Sequence, residues 1–390
     1  MFGKVKRLVM ASLGAVTLAG CAVIPGGTDA PVYNEPVANT PPPAPSAPDA
    51  DLLPADTERH RVALLVPLSG SNSEVGQSIA NASTMALLDT GADNLRITTY
   101  DTGSGAAEAA RRAVADGNRL ILGPLVRDNV DPVLAEARGA NVPLITFSND
   151  VSVAQDGVFV MGHVPDQSVA RTAAFAIAQG ARTFAVLAPR GDYGDRALNA
   201  LEQAVTALGG RVVGIERYDR NNTSILSSAD RLRAAGGYDT VLIADGARLA
   251  AMAAPRLKNT GDALPSIIGT ELWSREDALT RTGALRGAWF AAVPDARYRQ
   301  FAQSYASRFG DQPYRIATLG YDAVLLTLRL SRDWQPGRAL PAGLLTDAGG
   351  FLGLDGAIRF MPDGVGQRAL EVRQIGNGAF TVVDPAPTGF

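Results

Sequence analysis

The stretch Arg61-Val-Ala-Leu-Leu-Val-Pro67 is a continuous apolar run that a proline closes, and Ser69-Gly70 follow it. A run of this length and composition is typical of a strand that is covered on both faces in a parallel sheet. Apolar strands and amphipathic helices then alternate as far as residue 147, which predicts right-handed βαβ units. The predicted segments are helix 75–86, strand 95–100, helix 106–115, strand 119–122, helix 130–138 and strand 142–147.

A second series of the same kind begins at Val169, and its alternation continues to residue 293. About 330 residues follow the N-terminal segments, more than one hydrophobic core usually serves, so we expect two lobes. The strands are predicted at 183–188, 211–215, 240–244, 266–268 and 287–293, and two further helices at 298–309 and 317–330. The alternation stops after residue 350. There, strands 357–360 and 371–375 are expected around Asp363-Gly364, and Asn377-Gly378 predicts a type I′ turn before 380–383.

The N-terminus has the layout of a signal peptide, with three basic residues in the first seven and an apolar run from Leu8 to Leu18. It ends in Leu18-Ala-Gly-Cys21, which resembles the bacterial lipobox, and Cys21 is the only cysteine of the chain. We therefore expect a signal peptide at 1–20 and a lipid anchor on Cys21. The alternative is an ordinary secretory signal with an incidental cysteine. Ala22 stands where an inner-membrane retention signal would place Asp, which favours the outer membrane.

Residues 21–58 are rich in proline, with nine of the 24 prolines between Pro25 and Pro54. The segment has no apolar period that could build a packed element, so it cannot bury enough surface to offset its ordering entropy. We interpret it as a disordered, extended tether that lets an anchored domain reach away from a membrane. A spacer without function is the alternative.

The composition excludes several classes of function. The net charge is −3, without a basic block beyond the signal peptide, which argues against nucleic acid as a partner. The two histidines, His60 and His163, stand in no metal-ligand spacing, so we expect no metal. Neither a phosphate loop nor a Gly-x-Ser-x-Gly elbow is present, and a catalytic triad would have His163 as its one candidate inside the fold. We therefore expect a protein without cofactor that binds rather than catalyses.

Four motifs in one order carry a family resemblance: Val66-Pro-Leu-Ser-Gly70, Leu122-Gly-Pro-Leu125, Val142-Pro-Leu-Ile-Thr-Phe-Ser148 and Phe360-Met-Pro-Asp-Gly364. They resemble a type I periplasmic binding protein of the branched-chain amino acid receptor class. The resemblance implies an α/β fold of two Rossmann-like lobes with parallel sheets, joined by three crossovers near Pro165, Pro294 and Asp363. Lobe 1 would comprise 59–164 and 294–362, and lobe 2 would comprise 165–293 and 363–384.

Within this class the lipobox, the tether and the alanine-rich domain are similar to the penicillin-binding protein activator lipoproteins. This resemblance implies a periplasmic protein, anchored in the outer membrane, that regulates peptidoglycan synthesis by binding a peptidoglycan synthase. The helical-repeat domain of some such activators has no counterpart here, since the tether leads straight to the first strand. The alternative is a solute-binding receptor that delivers an amino acid or peptide to an ABC transporter.

Ligands of open α/β sheets collect at the carboxyl ends of the strands, where helix N-termini expose unpaired N–H groups. Loops with hydroxyl groups and glycine in the first lobe would face acids and a tyrosine in the second, which suits a zwitterion. By resemblance, Ser69, Ser148, Tyr193 and Glu271 match receptor positions. Helix capping is the alternative for Ser69, Ser148 and Asp192. The candidates are Ser69, Gly70, Gly123, Pro124, Ser148, Asn149, Asp192, Tyr193 and Glu271.

Three tryptophans offer large aromatic surfaces that could anchor a protein partner. Core packing is the favoured role for Trp273 and Trp289. Trp334 lies at a predicted helix end, before Gln335-Pro-Gly337, and is the better candidate for an exposed partner contact.

Overall fold

The computed structural model describes residues 58–258, 265–274 and 276–390. The predicted signal peptide at 1–20, the lipidation site Cys21 and nearly all of the tether 21–58 lie outside these ranges. Among the described residues, the helices are too short or too polar to cross a membrane.

The first lobe is built on a sheet of five parallel strands, which are short and, apart from the edge strand at 95–101, largely apolar. Alternate side chains of the first strand enter different cores, with Val62 and Leu64 on one face and Ala63 and Leu65 on the other. The strand is therefore covered on both faces, as its continuous apolar run predicts. The elements are β1 (His60–Val66), α1 (Ser73–Thr90), β2 (Leu95–Asp101), α2 (Ala106–Ala115), β3 (Leu120–Leu122), α3 (Val130–Arg138), β4 (Leu144–Thr146) and β5 (Val158–Val160). The strand order is β2-β1-β3-β4-β5.

The second lobe repeats this order in its own five parallel strands. Its elements are α4 (Pro165–Ala178), β6 (Thr183–Pro189), α5 (Asp192–Ala207), β7 (Arg211–Tyr218), α6 (Ser224–Ala235), β8 (Thr240–Ile243), α7 (Ala247–Leu257), β9 (Ser266–Ile268), α8 (Asp277–Thr280) and β10 (Trp289–Ala292). These strands lie in the order β10-β9-β8-β6-β7. The predicted two-lobed α/β fold is thus confirmed, with each lobe winding in both directions from its first strand.

The chain then returns to the first lobe and finally adds a hairpin to the second. The remaining elements are α9 (Tyr298–Phe309), α10 (Thr318–Leu330), β11 (Phe351–Gly353), β12 (Gly356–Phe360), β13 (Gly366–Arg368), β14 (Glu371–Ile375) and β15 (Phe380–Asp384). Leu319 of α10 and Phe360 of β12 enter a core of the first lobe. The hairpin of β14 and β15 pairs antiparallel with β10, so the second sheet is mixed rather than wholly parallel.

Details of the C-terminal region differ from the predictions. The strand β12 pairs with β13, so Asp363 lies in the turn between them and not between β12 and β14. The chain crosses between the lobes at 161–164, at 293–297 and at 369–370. The third crossing follows Arg368 rather than Asp363 because Val365 pairs with Val160 at the edge of the first sheet. The turn before β15 is not type I′, since Gly378 has a positive φ but Asn377 does not.

Two of the three tryptophans are buried, and the third, Trp289, is partly buried and packs against Phe175. Trp273 is fully buried and donates its indole N–H to the carbonyl of Asp245 at 2.8 Å. Trp334 is also buried; its N–H donates to the carbonyl of Arg338, and its ring lies 4.4 Å from that of His60. The expectation of an exposed Trp334 was wrong, because the residues after α10 fold back over the ring.

Candidate functional site

A cavity of about 380 Å³ lies between the two lobes. The loops after β3 and β4 form its wall on the first lobe, and the loop after β9 forms its wall on the second. The segments that cross between the lobes form another wall of the cavity, with His163, Val164 and Val293. This is the edge of the sheets at which ligands of such folds collect. The charged and strongly polar residues that line it are Asn149, His163, Gln167, Glu271, Arg315 and Arg368.

Two of the nine predicted contact residues, Asn149 and Glu271, line this cavity from opposite lobes. Tyr193 lies directly behind Glu271. Its hydroxyl group is 2.9 Å from Thr270 Oγ1 and 3.2 Å from Glu271 Oε1, so it can donate to either oxygen. The structure therefore brings together the predicted acid and tyrosine of the second lobe.

Ser69 and Gly70 are exposed and do not line the cavity. Ser69 Oγ donates to Asp101 Oδ2 at 2.7 Å, and the same carboxylate accepts from the backbone N–H groups of Leu68 and Gly103. Burial opposes ionisation of Asp101, but these hydrogen bonds together lower its pKa. In this structure Ser69 ties the loops after β1 and β2 to each other, rather than facing the space between the lobes.

The other four candidates occupy supporting or exposed positions. Ser148 is buried, and its Oγ accepts from the backbone N–H of Asp150 at 3.1 Å. Gly123 and Pro124 are buried and joined by a cis peptide bond, and the Pro124 carbonyl accepts from Thr146 Oγ1. Asp192 is exposed at the first residue of α5. None of the four belongs to the cavity lining.

Glu271 has unusual electrostatics for an acid. Burial raises its pKa to about 7, and the hydrogen bonds from its own backbone and from Tyr193 compensate only in part. Its Oε2 is buried without a hydrogen-bond partner among the described residues. Burial likewise raises the pKa of Asp166, and each of these two acids lies near Arg196. Glu271 thus offers the cavity an oxygen that a ligand could engage.

A buried charge network joins α10, the first crossing and a third sheet, which consists of β11, β12 and β13. Asp355 is fully buried between β11 and β12. Its Oδ1 accepts from Arg315 Nη1 at 2.7 Å, and its Oδ2 lies 2.8 Å from Thr318 Oγ1 and 2.7 Å from His163 Nε2. Burial opposes its ionisation, but Arg315 and His163 hold the pKa of Asp355 well below its usual range. Burial lowers the pKa of His163, which therefore favours the neutral imidazole despite this partner.

Sequence reasoning missed the arginines of this region. Arg315 is far in sequence from Arg368 and Arg373, and it comes near them only because the chain recrosses between the lobes. Arg373 Nη1 donates to Asp295 at 2.7 Å and its Nη2 to the carbonyl of Val293. A local signal did exist, because Arg373 lies in the predicted strand 371–375, where an arginine requires partners if it is buried.

The family model whose description reads "Periplasmic binding protein" matches residues 60–379. The chain belongs to the periplasmic binding protein family. The match covers every strand of the first sheet and every strand of the second except the last, β15, so it includes both lobes.

Among solved structures, this periplasmic binding protein is similar to a branched-chain amino acid ABC transporter ligand-binding protein from Burkholderia xenovorans. The TM-score is 0.68 at 15% identity, with 85% of this chain and 95% of that chain covered. The full-length activator LpoA from Haemophilus influenzae has a TM-score of 0.66 at 20% identity, with 85% of this chain and 60% of that chain covered. At these identities the likeness shows the fold.

Among curated proteins, this periplasmic binding protein is similar to the penicillin-binding protein activator LpoA of Mannheimia succiniciproducens. The two are 26% identical over 280 residues, which are 69% of this chain and 48% of the relative. The activator LpoA of Glaesserella parasuis is 27% identical over 186 residues, 47% of this chain and 32% of the relative. The matched region thus spans less than half the length of each relative.

In this periplasmic binding protein, Arg196 joins the lobes at the rim of the cavity. It lies on α5 of the second lobe, and its Nη1 donates to the Asn149 carbonyl of the first lobe at 2.9 Å. The same group lies 3.9 Å from Asp150 Oδ1. These contacts join the two lobes beside the cavity, and they would break if the lobes opened.

The high pKa of Glu271 predicts a pH-dependent cost in this periplasmic binding protein. Between about pH 4.5 and pH 7, Glu271 is protonated in the native state, whereas the same side chain in the unfolded chain, with a pKa near 4.5, is ionised. Stability from this group is therefore present below about pH 4.5 and is lost as the pH rises through about 7. We expect Glu271→Gln to gain stability relative to wild type between acidic and mildly alkaline pH, by on the order of 2 kcal/mol.

Urea unfolding at a series of pH values would measure this difference. Glu276→Gln, at an exposed glutamate of the same region, controls for the loss of one negative charge. A stability difference between Glu271→Gln and wild type that does not change with pH would contradict a raised pKa of Glu271 in the native state.

Proposed function

We propose that this chain is a periplasmic lipoprotein, anchored in the outer membrane through Cys21, that activates a penicillin-binding protein without catalysing a reaction itself. The observation that carries the proposal is the similarity to activators named LpoA, which extends over 69% of this chain. Because the match spans 48% of that relative, the activity of the whole relative is carried over here as a proposal. The lipobox and the proline-rich segment 21–58 support the anchored, periplasmic location.

The two-lobed body suits a regulator that works by docking. A lipid on Cys21 would hold the body at the membrane, and the extended tether would let it reach a synthase in the periplasm. Contacts such as Arg196 with Asn149 depend on how far the lobes close. A partner that binds one arrangement of the lobes better than another would therefore couple docking to lobe closure.

The direct test is reconstitution of the mature chain with bifunctional penicillin-binding proteins from the same organism. We expect binding in surface plasmon resonance, and a faster rate of glycan polymerisation or peptide cross-linking when the chain is added. A solute-binding protein of the same fold serves as the control. The absence of both binding and stimulation with every synthase would reject the proposal.

A cellular arm of the same test examines the anchor. Deletion of the gene should sensitise cells to β-lactams, and wild type should restore resistance. Cys21→Ala, which lacks the acylated thiol, should restore less resistance, and the variant protein should be absent from the membrane fraction. Equal rescue by Cys21→Ala would show that activation does not require the anchor.

A second candidate function is that of a solute-binding receptor. The observation that favours it is the cavity of about 380 Å³, which lies between the lobes and is lined by polar groups that have no hydrogen-bond partner among the described residues. Ligand cavities of proteins have volumes of this order. A small molecule held there would contact both lobes and stabilise their closure. Saturable binding of a metabolite, with compaction seen by small-angle scattering, would support this function.

A further inference from the structure

Arg368 is a buried guanidinium that lines the cavity between the lobes. It ends strand β13, and only 6% of its surface is exposed. Its Nη2 donates to the carbonyl of Met161 at 2.6 Å. Its Nε and Nη1 have no hydrogen-bond partner in the described part of the chain. Buried polar groups are hydrogen-bonded in the great majority of proteins, so these two donors call for an acceptor.

The neighbouring carboxylates do not supply that acceptor. Asp355 uses Oδ1 for Arg315, and Oδ2 for Thr318 and His163. Asp322 accepts from the backbone N–H groups of Leu354 and Asp355, and burial together with the charge of Asp355 raises its pKa. Burial lowers the pKa of Arg368 itself, although both acids oppose this effect. The charge of Arg368 is thus balanced only at a distance.

Arg315 lines the same cavity with a second unused donor group. Its Nη1 donates to Asp355, and one face of its guanidinium group lies over the ring of Tyr298. Its Nη2 is buried and makes no hydrogen bond to the described residues. Two guanidinium groups with unused N–H donors suit a carboxylate, whose two oxygens can accept several charge-assisted hydrogen bonds. The rest of the lining is largely apolar and includes Leu125, Phe147 and Leu370.

We propose that Arg368 and Arg315 form a carboxylate subsite in the cavity, which takes a small carboxylic acid with a compact apolar body. The inference rests on the second candidate function, the binding of a solute between the lobes, and is independent of penicillin-binding protein activation. It places the anion at the end of β13 and the residues before α10, and not on the Ser69 and Ser148 loops that the family resemblance implied. An amino acid and a plain acid share this chemistry, and Glu271 distinguishes them because only an amino acid carries an ammonium group.

The test uses the mature chain and three probes in titration calorimetry: 4-methylpentanoate, L-leucine and the uncharged 4-methylpentanamide. We expect saturable binding of at least one carboxylate, with the amide at least about tenfold weaker, because the amide cannot replace charge-assisted bonds. Tighter binding of L-leucine than of 4-methylpentanoate would identify an amino acid as the class of ligand. The reverse order would identify the plain acid.

Arg368→Gln should weaken carboxylate binding about thirtyfold, since hydrogen bonds to charged groups contribute most of the affinity at such a subsite. Arg329→Gln is the matched control, at an exposed arginine that pairs with Asp347, and should bind as wild type does. If Arg368→Gln does not fold, the comparison of acid and amide in wild type decides alone. Equal binding of acid and amide would reject the subsite while leaving the receptor function standing. No binding of either carboxylate at millimolar concentration would reject both.

Discussion

Replacing Asp355 by alanine is expected to lower the free energy of unfolding by about 3–5 kcal/mol. The side chain is fully buried and is bonded to Arg315, Thr318 and His163. Its removal leaves the guanidinium of Arg315 without its closest carboxylate and removes a charge that also favours ionised Arg368. Breaking a buried pair costs more than the pair itself contributes, because an uncompensated charge stays in a medium of low polarity.

Asp347→Ala provides the matched control. Asp347 also pairs with an arginine, since Arg329 Nη2 lies 2.7 Å from its Oδ2, but both side chains are about half exposed. A surface pair of this kind contributes roughly 0–1 kcal/mol. Urea unfolding of both variants, followed by circular dichroism, measures the contrast. Similar losses for Asp355→Ala and Asp347→Ala would show that the buried network does not hold the third sheet to α10.

Replacing Gly76 by alanine is expected to cost about 3 kcal/mol. A Cβ atom at this position in α1 would lie 1.7 Å from the carbonyl oxygen of Pro67, at the end of β1. The obstacle is backbone at the junction of strand and helix, so it cannot be relieved by turning a side chain. The second lobe repeats the arrangement, with a Cβ at Gly194 lying 1.9 Å from the carbonyl of Pro189. Both lobes therefore need glycine where the helix that follows the first strand lies close to the end of that strand.

Gly139→Ala tests the same substitution without the close approach. Gly139 follows α3 with a φ of −61°, and nothing lies within 4 Å of a Cβ built there. Alanine at such a site reduces the entropy of the unfolded chain and should stabilise by about 0.4–1 kcal/mol. Thermal unfolding of the two variants gives the comparison. If Gly76→Ala and Gly139→Ala had the same melting temperature, the contact between α1 and Pro67 would not be rigid in solution.

The two candidate functions require different features of the same two-lobed domain. Activation of a synthase requires an external surface and a tether, whereas solute binding requires the cavity and its polar groups. Arg368 has two N–H donors and Glu271 one carboxylate oxygen that find no partner in the described ranges, and these groups bear on solute binding alone. A ligand that closed the lobes would also alter any surface formed jointly by them. Measuring synthase stimulation with and without a bound carboxylate would reveal whether the two functions are linked.

Much of the fold could be predicted because its elements are locally encoded. The helices α2 and α3 and the strand β9 have the bounds that apolar periodicity and flanking glycines predict. Covered parallel strands are short apolar runs, and amphipathic helices show their spacing directly, so neither depends on distant residues. The same holds for the pairing of β14 and β15 around Asn377-Gly378, though the type of the turn was missed.

The sequence by itself therefore determined the two-lobed α/β architecture, the sheet edge at which a ligand would collect, and Glu271, Tyr193 and Asn149 as residues there. Only the tertiary structure decided that Ser69 bonds to Asp101, that Trp334 is buried, and that Arg315 and Arg368 line the cavity with Asp355 behind them. The reason is physical. Periodicity records which face of a segment is buried, whereas the partner of a buried charge is set by how the lobes are packed and where the chain crosses between them.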